Sequence, residues 1–262
     1  MAAIGVVTGA SSGIGRCYAE RLASNGMDLV LVARRADRLE ELKSDLARRG
    51  VNVRTIVADL GRDDDVQRLA ADLSRLPVDL LVNNAGVAHY MPFAQLPMER
   101  AREVVDVNAL APVMLTRAVI PSMVARGSGA IINVASLLAF SGAARAPHLP
   151  QRAVYAATKA FLVTFTEVLA AELVNTGVNV QVVCPGVVRS EFHSRQGIDM
   201  SQVPRMEPDQ IVSASLYDLA RGVVVSIPAL PDESAKARFD EAASALVAVA
   251  RNQDLPPRYR PS

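Results

Sequence analysis

IGVVTGASSGIG, residues 4–15, joins a short apolar run to a turn that contains Gly9, Gly13 and Gly15. The apolar run predicts a β-strand, and a helical pattern follows over residues 14–25. Glycine lets the backbone turn tightly and approach a ligand, while the new helix presents N–H groups and a positive dipole end. The stretch therefore predicts a strand–turn–helix unit that holds a pyrophosphate, although such turns also occur for packing alone.

The alternation of strand and helix continues along the chain. The apolar runs that predict strands are residues 4–7, 29–32, 53–57, 79–82, 130–134, 178–183 and 223–228. The helical patterns are residues 14–25, 36–49, 62–75, 99–126, 152–176, 208–221 and 232–251. Nearly continuous Val, Ile and Leu in the strands indicates burial on both faces. We expect an α/β fold, a doubly wound parallel sheet of the Rossmann type with about seven strands and helices on both faces.

Length and composition favour one domain. The chain has 262 residues, of which 50% are apolar, enough for one large core. We expect a single Rossmann-type domain over residues 1–262, with a substrate lid at 190–206 and an irregular tail at 252–262. The net charge of +1, without a basic stripe, argues against nucleic acid. We found no apolar run of the ~18 residues that a membrane span needs, so we expect a cytoplasmic protein.

Tyr155 and Lys159 give a second chemical signal. They stand four positions apart in VYAATKAF, residues 154–161, so the phenol and the ammonium share one helix face. An unperturbed tyrosine titrates near ~10. A charge ~4 Å away supplies about 4 kcal/mol at an effective dielectric of ~20, enough to lower the phenol pKa in a sheltered cleft. The alternative is an interfacial tyrosine followed by chance, one turn later, by a surface lysine.

Together these motifs resemble the short-chain dehydrogenase/reductases in their compact single-domain form. The nucleotide loop of that family, T-G-x-x-x-G-x-G, matches residues 8–15 at every fixed position, whereas neither G-x-G-x-x-G nor a P-loop fits. The further family motifs follow in the right order: Asp59 in VADL, NNAG at residues 83–86, Asn108, Ser136 in NVAS, Tyr155 with Lys159, and Pro185 with Gly186. The resemblance covers roughly residues 3–190.

The resemblance implies specific roles. Tyr155 would be the acid/base, Lys159 its electrostatic partner and ribose anchor, Ser136 a hydroxyl holding the substrate oxygen, and Asn108 a support for a relay water. The implied coenzyme-binding residues are Gly9, Ser11, Ser12, Gly13, Ile14, Gly15, Arg34, Arg35, Asp59, Leu60, Asn84, Ala85, Gly86, Tyr155, Lys159, Pro185, Gly186, Val188 and Ser190. Asp59 would accept from the adenine amino group, although it could also cap a nearby helix. No metal is implied.

The end of the second strand bears on the coenzyme. In this fold an acidic residue about 20 positions past the glycine loop binds the ribose 2′-hydroxyl of NAD, whereas an arginine neutralises the 2′-phosphate of NADP. LVARR places Arg34 and Arg35 there, with no carboxylate before Asp37. We therefore expect NADP(H) to be favoured over NAD(H). In the alternative interpretation, the arginines lie in solvent and Asp37 reaches the ribose.

The implied activity is that of an NADP(H)-dependent oxidoreductase that interconverts a carbonyl and a secondary alcohol by hydride transfer at nicotinamide C4. The alternatives are a catalytically silent NADP(H)-binding sensor or scaffold, and an epimerase or dehydratase. Candidate pocket residues, mostly apolar, suggest a hydrophobic small-molecule substrate. They are Leu137, Phe140, His89, Tyr90, Val187, Phe192 and Met206.

Two further features concern the loop before Tyr155 and the assembly. Ser136 and Tyr155 lie 19 positions apart, more than is usual in the family, and residues 143–152, AARAPHLPQR, look like an inserted loop that borders the active site. The resemblance also implies a homodimer or homotetramer through the helices at 99–126 and 152–176.

Overall fold

The computed structural model describes residues 2–144, 149–251, 254, 256 and 259. Its contacts divide the chain into two units, Met1–Pro228 and Ala229–Ser262. The single domain over residues 1–262 stays a prediction, and the two units are described separately below.

The first unit is built on a sheet of seven parallel strands. They are β1 (Ile4–Thr8), β2 (Asp28–Ala33), β3 (Val53–Val57), β4 (Val78–Asn83), β5 (Gly129–Val134), β6 (Val178–Val183) and β7 (Val225–Ser226). Their order across the sheet is β3-β2-β1-β4-β5-β6-β7. The strand order reverses between β1 and β4, the place where doubly wound sheets bind ligands at the strands' carboxyl ends. The predicted doubly wound Rossmann fold is confirmed.

Helices cover both faces of this sheet. In the first unit they are α1 (Gly13–Ser24), α2 (Ala36–Ala47), α3 (Asp63–Leu73), α4 (Met98–Val105), α5 (Ala111–Arg126), α6 (Ala153–Glu172), α7 (Glu191–Ser194) and α8 (Pro208–Ala220). The predicted continuous helix at 99–126 is wrong in one respect, because a π-helical turn, Asp106–Leu110, separates α4 from α5. The short helix α7 lies inside the segment 190–206, where the sequence predicts only a lid.

Alternate strand residues pack on opposite faces of the sheet. Leu29 and Leu31 of β2 belong to the core beneath α1, α2 and α8, whereas Val30 and Val32 belong to the core beneath α3 and α5. Successive side chains of a strand point to opposite faces, so both faces of β2 are covered. This double burial explains why the strands are almost continuously apolar.

Two helical segments are long and apolar enough to cross a membrane by length and composition alone. They are Met98–Arg126, with a mean hydropathy of 1.4, and Ala153–Glu172, with 1.3. This differs from the sequence expectation, because isolated charges such as Arg117 and Lys159 interrupt the apolar runs without greatly lowering their mean hydropathy. Core helices pass the same test, and both segments contribute buried residues to the sheet's packing.

The second unit contains α9 (Ser234–Ala248) and a 3₁₀ turn, Val249–Arg251. Within α9 none of the described residues is buried. The helix lies inside the predicted range 232–251. The predicted irregular tail, 252–262, lies mostly outside the described residues.

Candidate active site

A cavity of 790 Å³ opens at the carboxyl ends of the strands. Most of the predicted site residues line it. From the predicted coenzyme set these are Gly9, Ser11, Ser12, Gly13, Ile14, Arg34, Arg35, Asp59, Leu60, Asn84, Ala85, Gly86, Tyr155, Lys159, Pro185, Gly186, Val188 and Ser190, and Ser136 joins them from the predicted catalytic set. Gly15 and Asn108 lie outside the described lining.

The glycine loop is pressed against the turn that follows β4. Gly9 has a φ of +66°, and a Cβ there would lie 2.9 Å from the Cα of Ala85. A Cβ on Gly15 would lie 2.4 Å from the carbonyl oxygen of Gly9, so Gly15 lets α1 approach the loop from beneath. Gly15 therefore serves packing here, and its contact with the coenzyme stays a prediction. A side chain at either position would fill the space where the backbone has to come close.

Hydrogen bonds from Thr8 tie the loop to the same turn. The Thr8 hydroxyl accepts from the backbone N–H groups of Asn84, at 3.0 Å, and Ala85, at 3.1 Å. The side-chain amide of Asn84 donates to the Thr8 carbonyl oxygen at 2.9 Å. The ends of β1 and β4 thus form one rigid floor, with the first turn of α1 beginning at Gly13. This arrangement fits a dinucleotide pyrophosphate.

Arg34 and Arg35 leave β2 in different directions. Arg35 donates through Nη2 to the hydroxyls of Ser11, at 2.7 Å, and Ser12, at 3.0 Å. Arg34 lies instead 3.5 Å from a Glu103 oxygen and 3.9 Å from Asp59. Arg35 is therefore the arginine that lies against the glycine loop.

Two carboxylates considered in the sequence analysis, Asp37 and Asp59, differ in their surroundings. Asp37 is exposed in the first turn of α2. Asp59 accepts a hydrogen bond from the Gly61 backbone at 3.0 Å and so caps a turn rather than the helix α3.

Tyr155 and Lys159 lie on α6, with exposed fractions of only 6% and 3%. Burial raises the pKa of Tyr155 to about 12, and hydrogen bonds with Ser136 and Tyr90 partly oppose that rise. Burial lowers the pKa of Lys159 to about 8. The Lys159 ammonium donates to the Val134 carbonyl at 2.8 Å, and it lies 5.7 Å from the centre of the Tyr155 ring.

These values correct the expectation that Lys159 lowers the phenol pKa below its ordinary value. In the protein alone, removal from water is the largest cause of both pKa shifts, since burial disfavours the charged form of each group. Tyr155 therefore keeps its proton at neutral pH. A protonated phenol beside a hydroxyl is suited to donate a proton to an oxygen that becomes negative.

Asn108 lies in the π-helical turn and is fully buried. Its amide donates to the Val87 carbonyl at 2.8 Å and to the Thr158 hydroxyl at 3.2 Å, and its oxygen accepts from the Val87 N–H at 2.9 Å. The residue thus joins the segment after β4 to α6, behind the cavity wall. Its predicted support of a relay water stays a prediction.

Aromatic side chains line the end of the cavity around Tyr155, where we expect the substrate. Tyr90 and Phe192 contact Tyr155, with ring centres 5.5 and 5.9 Å from it. Of the predicted pocket residues, those in the lining are Tyr90, Leu137, Val187 and Phe192. The other three predicted pocket residues lie outside the described lining. His89 bonds Glu103 at 2.8 Å, Phe140 packs against the core beside α6, and Met206 packs near α8.

The loop between Ser136 and Tyr155 borders the cavity through Leu149 and Pro150. Arg152 donates to the Ser141 hydroxyl at 2.8 Å and to the Pro150 carbonyl at 3.1 Å, so it ties the two arms of the loop together. Residues 145–148 lie outside the described part. Tyr155 remains within hydrogen-bond reach of Ser136 despite the longer loop.

Sequence reasoning missed several residues of the predicted lid, 190–206, that line the cavity. They are His193, Arg195, Ile198, Met200 and Val203. The two ends of the segment are hydrogen-bonded to each other. The Met206 N–H donates to the Val187 carbonyl at 3.0 Å, and the Met206 carbonyl accepts from the Arg189 N–H at 2.9 Å. No local pattern indicates which residues of such a segment face inward.

A model of the family described as short chain dehydrogenase matches residues 3–200. The chain belongs to this family, as its motifs indicate.

Individual proteins similar to this chain are also oxidoreductases by their descriptions. An uncharacterized oxidoreductase of Myxococcus xanthus (strain DK1622) is 36% identical over 251 residues, which cover 92% of this chain and 96% of that protein. The very-long-chain 3-oxoacyl-CoA reductase of Bos taurus is 38% identical over 192 residues, 71% of this chain. The match spans only 60% of the length of the bovine reductase.

Two solved structures are similar over nearly the whole chain. A short-chain dehydrogenase from Sphingobium yanoikuyae in complex with NADPH has a TM-score of 0.92 and 37% identity, covering 98% of this chain and 100% of its own. The bulky-bulky ketone specific alcohol dehydrogenase from Comamonas testosteroni has a TM-score of 0.88 and 32% identity, covering 99% of both chains.

The lowered pKa of Lys159 predicts a pH dependence of stability. The pKa of Lys159 is about 8 in the folded protein and about 10.5 in the unfolded chain. Its contribution to the free energy of unfolding is therefore fully present above pH 10.5 and is lost as the pH falls through 8. Between pH 7 and pH 10, wild type should therefore gain roughly 2 to 3 kcal/mol relative to Lys159→Met. Urea unfolding at several pH values measures this.

The control for that measurement is Lys43→Met, since Lys43 is 41% exposed on α2. Its stability difference from wild type should stay nearly constant over the same pH range. Parallel profiles for wild type and Lys159→Met would show that the buried amine does not titrate as described.

Proposed function

We propose that the protein is an NADP(H)-dependent oxidoreductase that interconverts a carbonyl and a secondary alcohol. The observation that carries this proposal is the buried hydroxyl of Tyr155, hydrogen-bonded to Ser136 in a cavity whose other end is the glycine loop with Arg35. The presence of a proton donor and a glycine loop in one cavity supports this proposal.

The side chains divide the chemistry between them. A bound nicotinamide supplies or accepts the hydride. In carbonyl reduction Ser136 donates a hydrogen bond to the substrate oxygen, and Tyr155 transfers its proton to that oxygen as negative charge develops. Lys159 holds the ribose from beside the Val134 carbonyl. Phe192 and Tyr90 pack against Tyr155 and exclude water from the reacting oxygen.

The proposed coenzyme preference is for NADP(H) over NAD(H). Arg35 lies against the glycine loop, and Asp37, the first carboxylate after β2, is exposed. The similar structure from Sphingobium yanoikuyae holds NADPH, which supports the proposal. A guanidinium recognises a phosphate through paired N–H donors, whereas a 2′-hydroxyl gains little from it.

Arg35→Ala should weaken NADPH binding roughly ten-fold or more and change NADH binding by less than about three-fold, since only NADPH carries the 2′-phosphate. Quenching or enhancement of coenzyme fluorescence measures both affinities. Arg48→Ala is the matched control, because Arg48 is 72% exposed at the end of α2 and lies outside the cavity lining. Equal or tighter binding of NADH by wild type would contradict the preference.

The proposed substrates are bulky hydrophobic ketones and the corresponding secondary alcohols. Leu137, Leu138, Phe192 and Ile198 give the substrate end of the cavity an apolar wall. The Comamonas testosteroni relative is described as specific for bulky-bulky ketones, which supports this class. Activity confined to small charged keto acids would contradict it.

Tyr155→Phe tests catalysis against the alternative of a silent NADP(H)-binding sensor or scaffold. The variant should reduce ketones at least ~100-fold more slowly, because it lacks the transferable proton, while binding NADPH nearly as tightly as wild type. Loss of NADPH absorbance at 340 nm with a ketone panel measures turnover. Tyr217→Phe is the control, since Tyr217 is 64% exposed. Tight NADPH binding without turnover by wild type would favour the sensor.

We also propose a homodimer or homotetramer in the cytoplasm. The long helices α5 and α6 bury one side on the sheet and expose apolar side chains on the other, among them Val124, Phe161 and Val168. Contact between copies would cover this surface. Sedimentation should give at least twice the monomer mass, and Phe161→Glu should shift it toward the monomer. A monomer at micromolar concentration would contradict the assembly.

A further inference from the structure

Glu191 lies at the start of α7, just inside the lid segment 190–206 and eight positions past the end of β6. Three arginines surround its carboxylate. Arg35 approaches Oε2 at 3.0 Å and Arg38 approaches Oε1 at 2.6 Å. Arg195, one turn further along the lid, pairs with Oε2 and also donates to the Ser12 hydroxyl at 3.1 Å. The lid is thereby joined to α2 and to the glycine loop through one carboxylate.

Each nitrogen of the Arg35 guanidinium donates a hydrogen bond in this arrangement. Its Nη1 donates to Glu191 at 3.0 Å, its Nη2 to Ser11 and Ser12, and its Nε to Ser11 at 3.2 Å. A phosphate binds a guanidinium best through two parallel N–H donors. A phosphate that takes two parallel donors of Arg35 therefore competes with members of this set, and the Glu191 carboxylate is the anionic member of it.

The charges of the cluster match a phosphate. Three arginines and one carboxylate leave two positive charges, and a phosphate monoester carries about −1.5 to −2 at neutral pH. Hydrogen bonds from Arg195 and Arg38 lower the pKa of Glu191 to about 2, so the carboxylate is ionised whenever the coenzyme binds. The four side chains are between 30% and 47% exposed, so an anion can reach them from solution.

Resting on the NADP(H) preference proposed above, we propose that Glu191 is an internal anion that competes with the coenzyme 2′-phosphate for Arg35. Binding of the phosphate at Arg35 is thereby coupled to the number of contacts that hold the lid. The phosphate takes Arg35 from Glu191 and so removes one of the contacts that hold the start of the lid. NAD(H), which lacks the phosphate, leaves the Arg35–Glu191 contact in place. Glu191 thus reduces the discrimination between the two coenzymes that Arg35 provides.

Two coenzyme fragments test the competition without the nicotinamide end or turnover. Adenosine 2′,5′-bisphosphate carries the 2′-phosphate and 5′-AMP does not. Glu191→Gln should bind the bisphosphate roughly three- to ten-fold more tightly than wild type, because the phosphate no longer competes with one exposed ion pair. The dissociation constant of Glu191→Gln for 5′-AMP should stay within about two-fold of the wild-type value. Calorimetry measures both dissociation constants. Glu172→Gln, at the C-terminal end of α6, removes the same charge elsewhere and should leave both unchanged.

The outcomes separate this inference from the proposed function. If wild type binds the bisphosphate no better than 5′-AMP, the NADP(H) preference fails and the inference fails with it. If wild type prefers the bisphosphate but Glu191→Gln binds it equally or more weakly, only the inference fails, because the carboxylate then positions Arg35 instead of competing with the phosphate.

Hydrogen–deuterium exchange of the backbone at residues 190–197 tests the coupling to the lid. The bisphosphate should raise exchange there in wild type, whereas 5′-AMP should not. In Glu191→Gln, exchange should already be raised without ligand and should change little with the bisphosphate. Protection of this segment by the bisphosphate in wild type would overturn the coupling.

Discussion

The hydrogen bonds between Thr8 and the Asn84–Ala85 turn are the interaction on which the site depends. They join β1 and β4, the two strands between which the order of the sheet reverses. The crevice at such a reversal exists in any doubly wound sheet, but its floor is only as rigid as the link between the two strand ends. Because the link is made, Gly9 can lie against Ala85, and the first turn of α1 is fixed relative to the turn after β4.

Burial governs the chemistry at the other end of the cavity, where Tyr155 and Lys159 lie. Tyr155 and Lys159 are removed from water, so the phenol keeps its proton and the amine holds its own less firmly than in solution. Their neighbours compensate with directed hydrogen bonds: the Val134 carbonyl accepts from Lys159, and Ser136 bonds to Tyr155. A site of this kind can respond strongly to a charge that arrives with a ligand, since little water is present to screen it.

The sequence predicted what local patterns determine. Strand positions and strand burial on both faces follow from period and composition over a few residues. The motif residues around the cavity were implied by the resemblance to the short-chain dehydrogenase/reductases. The sequence did not predict the cluster around Glu191, whose partners Arg35 and Arg38 lie more than 150 positions away. Nor did it predict the direction in which the pKa of Tyr155 shifts. The helical spacing of Tyr155 and Lys159 suggests that the ammonium lowers the phenol pKa, but the degree of burial decides the sign of the shift. The π-helical turn at Asn108 likewise depends on a contact with distant Val87.

The placement of Tyr155 itself requires more than apolar packing. A helix held on a sheet by aliphatic side chains alone can slide or rotate at little cost, since such contacts are not directional. On α6, buried polar side chains remove that freedom. Thr158 accepts from Asn108, Lys159 donates to the end of β5, and Thr166 accepts from Asn133 at 2.9 Å. Buried donors left without these acceptors would each be destabilising, so the helix has one favourable position along its axis and one rotation. That position brings the Tyr155 hydroxyl to Ser136.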